Sequence, residues 1–465
     1  MYELIARRSV SLEFAKLLCV LGIAAAQLGL ATQTNGESRG DIPDKSAQID
    51  ALFDSISLTD TPGASVIVIQ DGQVLHKEGY GLANIEHGVP NTPHTKFRLG
   101  SVTKSFTAAA ILMLHEQGLL SIDDKVSRHL PDLHSADRMT IRHLLTHTSG
   151  FSESEDEPLL FEPGERINYS NFGYNLLGRI LEKVSGKSYE DYVQEHIFRP
   201  LGMLNSGYDR HTPILKNRAS GYSIGSNGGY VNAEYIDMSG PHAAGALYST
   251  VEDLYLWDQA LHTDKLLKAS TLEQAFTPAK LSGGREAAYG MGWMLGDRGG
   301  LREVGHGGDI TGFNSYIARF PDQHFSVMVL SNVGMHPPGP VPNAGALAHQ
   351  IIQICLGDQM KPEEPLVEVE LSEELLGSYV GVYQVNAPEV VTSVAGSTLK
   401  ITREGNQLFS ETKLGKARLR AVSVTELRQD GLPLSLTFIK NSQGRATEIL
   451  ISAGGLREFT ATRAE

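Results

Sequence analysis

The spacing of apolar positions changes several times along this chain, and each spacing predicts a different element. Residues 64–80 read ASVIVIQDGQVLHKEGY, two β-rich runs flanking Asp71-Gly72. That pair predicts a tight hairpin, whose turn takes positive φ at both central positions. From about 101 to 275 the patterns are mainly helical, as where Leu176, Leu177, Ile180, Leu181 and Val184 repeat on one helix face. Strand signals return in FNSYIARF and HFSVMVLSN, around Pro321-Asp322, and NAGALAHQIIQICLG predicts a last helix ending near 357. Strands at both ends with helices between predict an α+β domain, its sheet completed by distant segments.

KPEEPLVEVE, residues 361–370, is rich in proline and acidic residues and predicts a linker. The runs after it (GSYVGVYQV, STLKITREGNQLFSET, LRAVSVTEL, LSLTFIKN and TEILISAGG) are short, β-rich and separated by turn residues. They predict a small all-β module over 371–465, following a domain over 41–360.

The N-terminus differs from both. Arg7, Arg8 and Lys16 precede LLCVLGIAAAQLGLA, and polar residues follow. A basic segment, a short apolar run and small residues describe a secretory leader over 1–32, with a retained anchor as second choice. Export to the periplasm or medium is the expectation. The cysteines are Cys19 and Cys355; with the leader removed, Cys355 has no partner for an internal disulfide and reads as a buried inert thiol. The chain of 465 residues is 41% hydrophobic and 20% charged, a globular composition. Its net charge of −14, with no basic block, argues against nucleic acid as a partner. Nothing beyond the leader suggests membrane contact.

Candidate chemistry begins in FRLGSVTKSFTAAAILMLHEQG, residues 97–118. Ser101 and Lys104 stand one turn apart at the head of a helix that is apolar nearly all round, which predicts a buried central helix. Two other S-x-x-K patterns, Ser397/Lys400 and Ser410/Lys413, lie in the β-rich tail. In a strand residues three apart face opposite sides. A serine hydroxyl needs a base to become a nucleophile, and a lysine in a dry pocket is suited to act as one or to tune one. The helix N-terminus offers N–H groups to an oxyanion. Taken alone, the pattern describes Ser101 as an N-cap with Lys104 reaching the surface, because so short a pattern recurs by chance.

Two further stretches change the balance. Tyr169-Ser170-Asn171 precedes a helix; Tyr169 beside an ammonium would serve as shared base or proton relay, and Asn171 would orient the lysine. His306-Gly307-Gly308 precedes a strand, with glycines that would let a substrate backbone approach. SVTK, YSN and HGG, in this order, resemble the serine β-lactamase and penicillin-binding protein superfamily. The broad branch of class C β-lactamase-like enzymes, DD-carboxypeptidases, D-aminopeptidases and esterases is the most similar. MTIRHLLTHTSGF, PGERINYSNFGYNLLGRILEKVSG, GALYSTVEDLYLW and YGMGW read like that branch, which covers about 45–360. The tail resembles the lipocalin-like barrel that some members carry.

The resemblance implies a β-lactamase/DD-peptidase-like antiparallel sheet flanked by helices, with a helical subdomain and a small C-terminal all-β barrel. It implies Ser101 as acylated nucleophile, Lys104 and Tyr169 sharing the proton work, and Asn171, His306, Gly307 and Gly308 on the substrate. The oxyanion hole would be the backbone N–H groups of Ser101 and Asp309. No cofactor and no metal are implied; the partner is a small-molecule or peptide substrate. Histidine replaces the lysine that many β-lactamases carry in this motif, and it holds an anion less reliably at neutral pH. That favours an exported amide or ester hydrolase, acting on D-amino-acid peptides or as an esterase. A class C-type β-lactamase or a penicillin-binding sensor on the same fold is the alternative. A remote one is a zinc hydrolase using His143 and His147, spaced i, i+4 but with Leu144 where such a motif carries its glutamate.

Overall fold

A computed structural model describes residues 44–464 apart from 55, 57–59, 152–153, 155–157, 335–342, 363–366, 388–390 and 393–394. The leader and Cys19 therefore lie outside the described residues, as does part of the 361–370 linker.

The predicted hairpin forms from β1 (Ala64–Gln70) and β2 (Gln73–Tyr80). Asp71 and Gly72 turn it with φ of 53° and 73°, the two left-handed positions such a turn demands. Four strands from the far end complete the sheet: β3 (Met294–Arg298), β4 (Leu301–Ile310), β5 (Phe313–Phe320) and β6 (Phe325–Ser331). Their order is β3-β4-β5-β6-β1-β2, and every pairing is antiparallel. Distant segments thus meet at the β1–β6 ladder, where Val66 faces Val329 across the strands.

Strand alternation sends the sheet's side chains into two cores. Val66, Val68, Phe320 and Val329 pack against the helix α1 (Lys45–Ala51) and the final helix of this domain, Ala344–Leu356. Ile67, Ile69, Ile317 and Met328 face the opposite way, into the larger helical core. At the centre of that core lies α2 (Thr103–Glu116), buried on all sides from Thr103 to Leu114. Its Phe106 ring stacks on Trp257 at 4.3 Å. The second helix of the site, α3 (Asn171–Ser185), buries Leu176, Leu177, Ile180 and Leu181 against α2 and ends at Gly186, whose φ of 71° suits a glycine after a helix. The final helix, α4 (Ala344–Leu356), is capped by Asn343 and holds Cys355 buried, its thiol pushed up to about 11 by burial.

The tail is a closed eight-stranded barrel preceded by a short helix, α5 (Glu373–Tyr379). Its strands are β7 (Gly381–Asn386), β8 (Thr398–Glu404), β9 (Gln407–Thr412), β10 (Gly415–Ala421), β11 (Glu426–Gln429), β12 (Leu434–Lys440), β13 (Ala446–Ala453) and β14 (Arg457–Arg463). β7 pairs with both β8 and β14, so no strand edge is left open. Alternate positions, including Leu399, Ile401, Leu419, Leu436 and Ile449, fill its interior around Tyr379 and Tyr383. Each of the two S-x-x-K patterns here has one member on a strand, Lys400 on β8 and Ser410 on β9, while Ser397 precedes β8 and Lys413 follows β9. Ser410 Oγ donates to Gln429 Oε1 at 2.9 Å, while Lys400 reaches Glu411 on the neighbouring strand.

Candidate active site

Ser101 sits in a 3₁₀ turn, Gly100–Val102, that runs directly into α2. The nucleophile candidate is thus an extension of the buried helix, and no side-chain cap bond forms at its start. Lys104, one turn on, has no exposed surface and its ammonium has not snorkelled out. Its Nζ lies 3.0 Å from Ser101 Oγ, 2.8 Å from Asn171 Oδ1 and 2.9 Å from the Ala244 carbonyl. Two of those three partners are oxygens that only accept. They hold two N–H bonds in place and direct the remaining position at the serine, whose hydroxyl can donate or accept.

The YSN segment divides its work residue by residue. Ser170, not Asn171, caps α3, taking the Gly173 N–H on its Oγ at 3.1 Å. Asn171, the first helical residue, points its amide oxygen at Lys104. The Tyr169 ring, 6% exposed, has its centroid 4.8 Å from Lys104 Nζ. Tyr174, one turn into α3, presents its ring at 5.5 Å. Lys104 is therefore held against two aromatic faces, which attract a cation in a dry setting.

His306 is fully buried on β4. Its Nδ1 lies 2.6 Å from the Gly307 carbonyl, an acceptor only, so that nitrogen carries the proton. Nε2 then accepts from the Tyr289 hydroxyl at 2.9 Å. Burial, with the Lys104 charge adding to it, pushes the imidazole down to about 3. The ring is neutral at ordinary pH, and both nitrogens are engaged within the protein. Of the HGG glycines, Gly308 has a packing reason that the sequence does not disclose: a Cβ there would lie 2.0 Å from the Leu99 carbonyl and 2.4 Å from Ser315 Oγ. Its missing side chain lets β4 approach the turn that bears Ser101. A Cβ built on Gly100, at φ 51°, would lie 2.9 Å from the backbone N of Asp309. The turn bearing Ser101 and the Asp309 amide are thereby placed side by side.

His143 and His147 do not converge. His143 belongs to a capping box with Thr140, its Nδ1 accepting from the Thr140 N–H at 3.2 Å. His147 Nδ1 accepts from the Ser170 N–H at 3.1 Å, and its ring packs on Tyr169, Tyr174 and Tyr289. Among the described residues no three His, Cys, Asp or Glu side chains gather to hold a metal ion. The spacing that suggested a ligand pair instead supports the YSN segment from behind.

Several groups at the site were not singled out by sequence pattern. Tyr174 stands three residues after Asn171, a helical neighbour that is legible once the helix start is known. Tyr289 and Gly292 belong to YGMGW; a Cβ on Gly292 would meet Ala108 on α2 at 2.5 Å. The Ala244 carbonyl carries no side-chain signal at all.

The Beta-lactamase family profile matches residues 49–351. This chain belongs to the beta-lactamase family. A penicillin-binding protein of Bacillus subtilis (strain 168) is 28% identical over 465 aligned residues, which cover 90% of this chain and 99% of the relative. Among solved structures, the octameric penicillin-binding protein homologue from Pyrococcus abyssi is 25% identical with a TM-score of 0.59, covering 90% of this chain and 99% of that one. The D-amino acid amidase from Ochrobactrum anthropi SV3, in complex with L-phenylalanine amide, is also 25% identical with a TM-score of 0.59, over 68% of this chain and 99% of its own. Matches over 90% of this chain take in at least part of the barrel, whereas the amidase match is about the length of the family domain. Ser101, Lys104 and Asn171 all lie within the residues that the family profile matches.

Proposed function

We propose that the protein is a serine hydrolase that opens amide or ester bonds through an acyl-enzyme on Ser101. One observation carries this: Lys104 Nζ lies 3.0 Å from Ser101 Oγ, with its other bonds fixed by Asn171 and Ala244. In the proposed cycle Oγ attacks the carbonyl carbon and its proton passes to the Lys104/Tyr169 pair. The tetrahedral oxyanion is held by the backbone N–H groups of Ser101 and Asp309. Collapse expels the amine or alcohol, which takes that proton. Water, deprotonated by the same pair, then attacks the ester carbonyl and frees Ser101.

Two observations favour small D-amino-acid amides and peptides, or short esters, over β-lactams. The likeness to a D-amino acid amidase is one. The other is His306, whose neutral, engaged ring offers no cation to a substrate carboxylate. The basic and then apolar N-terminus supports export, where such substrates occur.

The experiment is a rate panel with D-aminoacyl p-nitroanilides, p-nitrophenyl esters and nitrocefin, read beside fluorophosphonate labelling followed by intact-mass spectrometry. A single adduct on Ser101, turnover of the first two classes and loss of both in Ser101→Ala support the proposal. Unchanged turnover in Ser101→Ala refutes it. Stable acylation by a β-lactam without turnover makes the protein a sensor.

A further inference from the structure

The barrel reaches into the site. Its last two strands are joined by Gly454, Gly455 and Leu456, with Gly454 and Gly455 both left-handed at φ 57° and 73°. This turn docks on the segment that carries Tyr169. The Tyr169 N–H donates to the Leu456 carbonyl at 3.0 Å, and the Glu458 N–H donates to the Ile167 carbonyl at 2.9 Å. Asn168 and Arg457 face each other between those bonds as an antiparallel bridge. The Leu456 side chain is buried in an apolar cluster with Ile167, Tyr169, Leu281 and Tyr289. The Glu458 carboxylate, 6% exposed, receives both terminal nitrogens of Arg285, at 2.5 and 3.1 Å.

Tyr169 is thus clamped from two sides. His147, from the family domain, holds the Ser170 N–H and, through its carbonyl, the Asn168 N–H at 2.8 Å. The barrel turn holds the Tyr169 N–H and the Ile167 carbonyl. Lys104, by contrast, rides on α2 and Ser101 on the turn leading into it, and the core around α2 contains no barrel residue. A backbone amide and a carbonyl next to the phenol depend on the barrel for their partners, and buried backbone groups are costly to leave unpaired.

We infer that the Leu456 turn is a positioning element for Tyr169, so that the barrel is part of the catalytic unit and not an appended module. This rests on the assignment of Ser101 and Tyr169 made above. Leu456 touches no reacting atom; it acts through the tyrosine.

Three variants of the full chain test it: Leu456→Ala, replacement of Gly454–Leu456 by the two-residue turn Asn-Gly, and Arg285→Ala, which loosens the dock from the family-domain side. With the substrate of highest turnover, Leu456→Ala is expected to lower kcat at least 10-fold with KM within 3-fold, and to move the alkaline or acid limb of the pH–rate profile. Leu456→Met is expected to restore kcat to within 3-fold. The decisive readout is coupling: in a Tyr169→Phe background, Leu456→Ala should cost less than 2-fold. Circular dichroism and the unfolding midpoint select variants that fold; Arg285→Ala serves if the shortened turn does not. If Tyr169→Phe is impaired but folded turn variants keep kcat within 2-fold of wild type, or if the two losses multiply, the positioning proposal is overturned while the tyrosine stands. If Tyr169→Phe turns over normally, the tyrosine assignment itself fails.

Discussion

The backbone N–H of Ser170 ends 3.1 Å from Nδ1 of His147, two residues separated by 23 positions in the chain. With the Asn168 N–H, which donates to the His147 carbonyl at 2.8 Å, this bond ties the loop after MTIRHLL to the segment that carries Tyr169 and Asn171. His147 itself adopts φ 59°, a left-handed conformation that a non-glycine residue takes only when its surroundings require it. The histidine is a brace, and its value can be measured.

Replacing His147 by Ala should destabilise the fold by about 3 kcal/mol, since it removes a large ring from a packed site and strands a buried N–H. Activity should fall as well, because Tyr169 and Asn171 move with the loosened segment. Urea unfolding and steady-state kinetics on the same preparation check both. A variant with wild-type stability and kcat would show that the bond is dispensable.

Lys104→Met should cost more rate than stability. It keeps length and packing but leaves Asn171 Oδ1 and the Ala244 carbonyl without their donor, a penalty of about 1–3 kcal/mol. Turnover should drop by roughly 10²–10⁴, the range expected for removing a positioned acid–base group. Lys104→Arg should not rescue it, because a guanidinium stays protonated at any working pH. Recovery of rate in the arginine variant would rule out proton transfer by this side chain.

Acid should unfold the protein partly through its buried imidazoles. Burial lowers His147 well below the usual histidine range, and the nearby Lys104 charge adds to this. His306 is lowered to about 3 by the same causes in the same order. In the unfolded chain each titrates near about 6.5. Above that pH both states hold neutral rings and these groups contribute no pH dependence. As pH falls below it, the unfolded chain takes up protons that the folded chain refuses, so stability declines by about 1.4 kcal/mol per pH unit for each ring. For His306 the decline continues towards about pH 3. Urea midpoints between pH 7 and 5 should show the slope, and His306→Asn should reduce it by one ring's share. A flat profile over that interval would contradict burial of neutral histidines.

Gly308→Ala tests the contact between β4 and the turn that bears Ser101. The added Cβ would stand 2.0 Å from the Leu99 carbonyl, a backbone atom that cannot swing aside. Either β4 or the turn must move, at a cost of about 2–3 kcal/mol for overpacking. Because the turn carries Ser101, fluorophosphonate labelling should slow at least 10-fold in protein that still folds. Labelling at the wild-type rate would mean that the two backbones have slack the structure does not show.

Much of this architecture was legible in local spacing. The Asp71-Gly72 turn, the buried helix from Thr103 and the cap-and-helix pattern after Tyr169 are all set by near neighbours, so short-range periodicity exposes them. So did the pairing of Ser101 with Lys104, since a residue and the one three ahead share a helix face. The His306 ring nitrogens meet the Tyr289 hydroxyl and the Gly307 carbonyl. Nothing in HGG tells which atoms a ring nitrogen will meet.

The sequence by itself determined which residues share a helical turn, which runs pair as a hairpin, and that a β-rich module follows the family domain, because these depend on backbone periods of a few residues. The tertiary structure alone decided that a carbonyl at Ala244 and an amide at Asn171 would anchor the lysine, that His306 would stay neutral, and that Leu456 would touch Tyr169. Those outcomes depend on burial and on contacts between segments up to hundreds of residues apart, and only the closed fold specifies them.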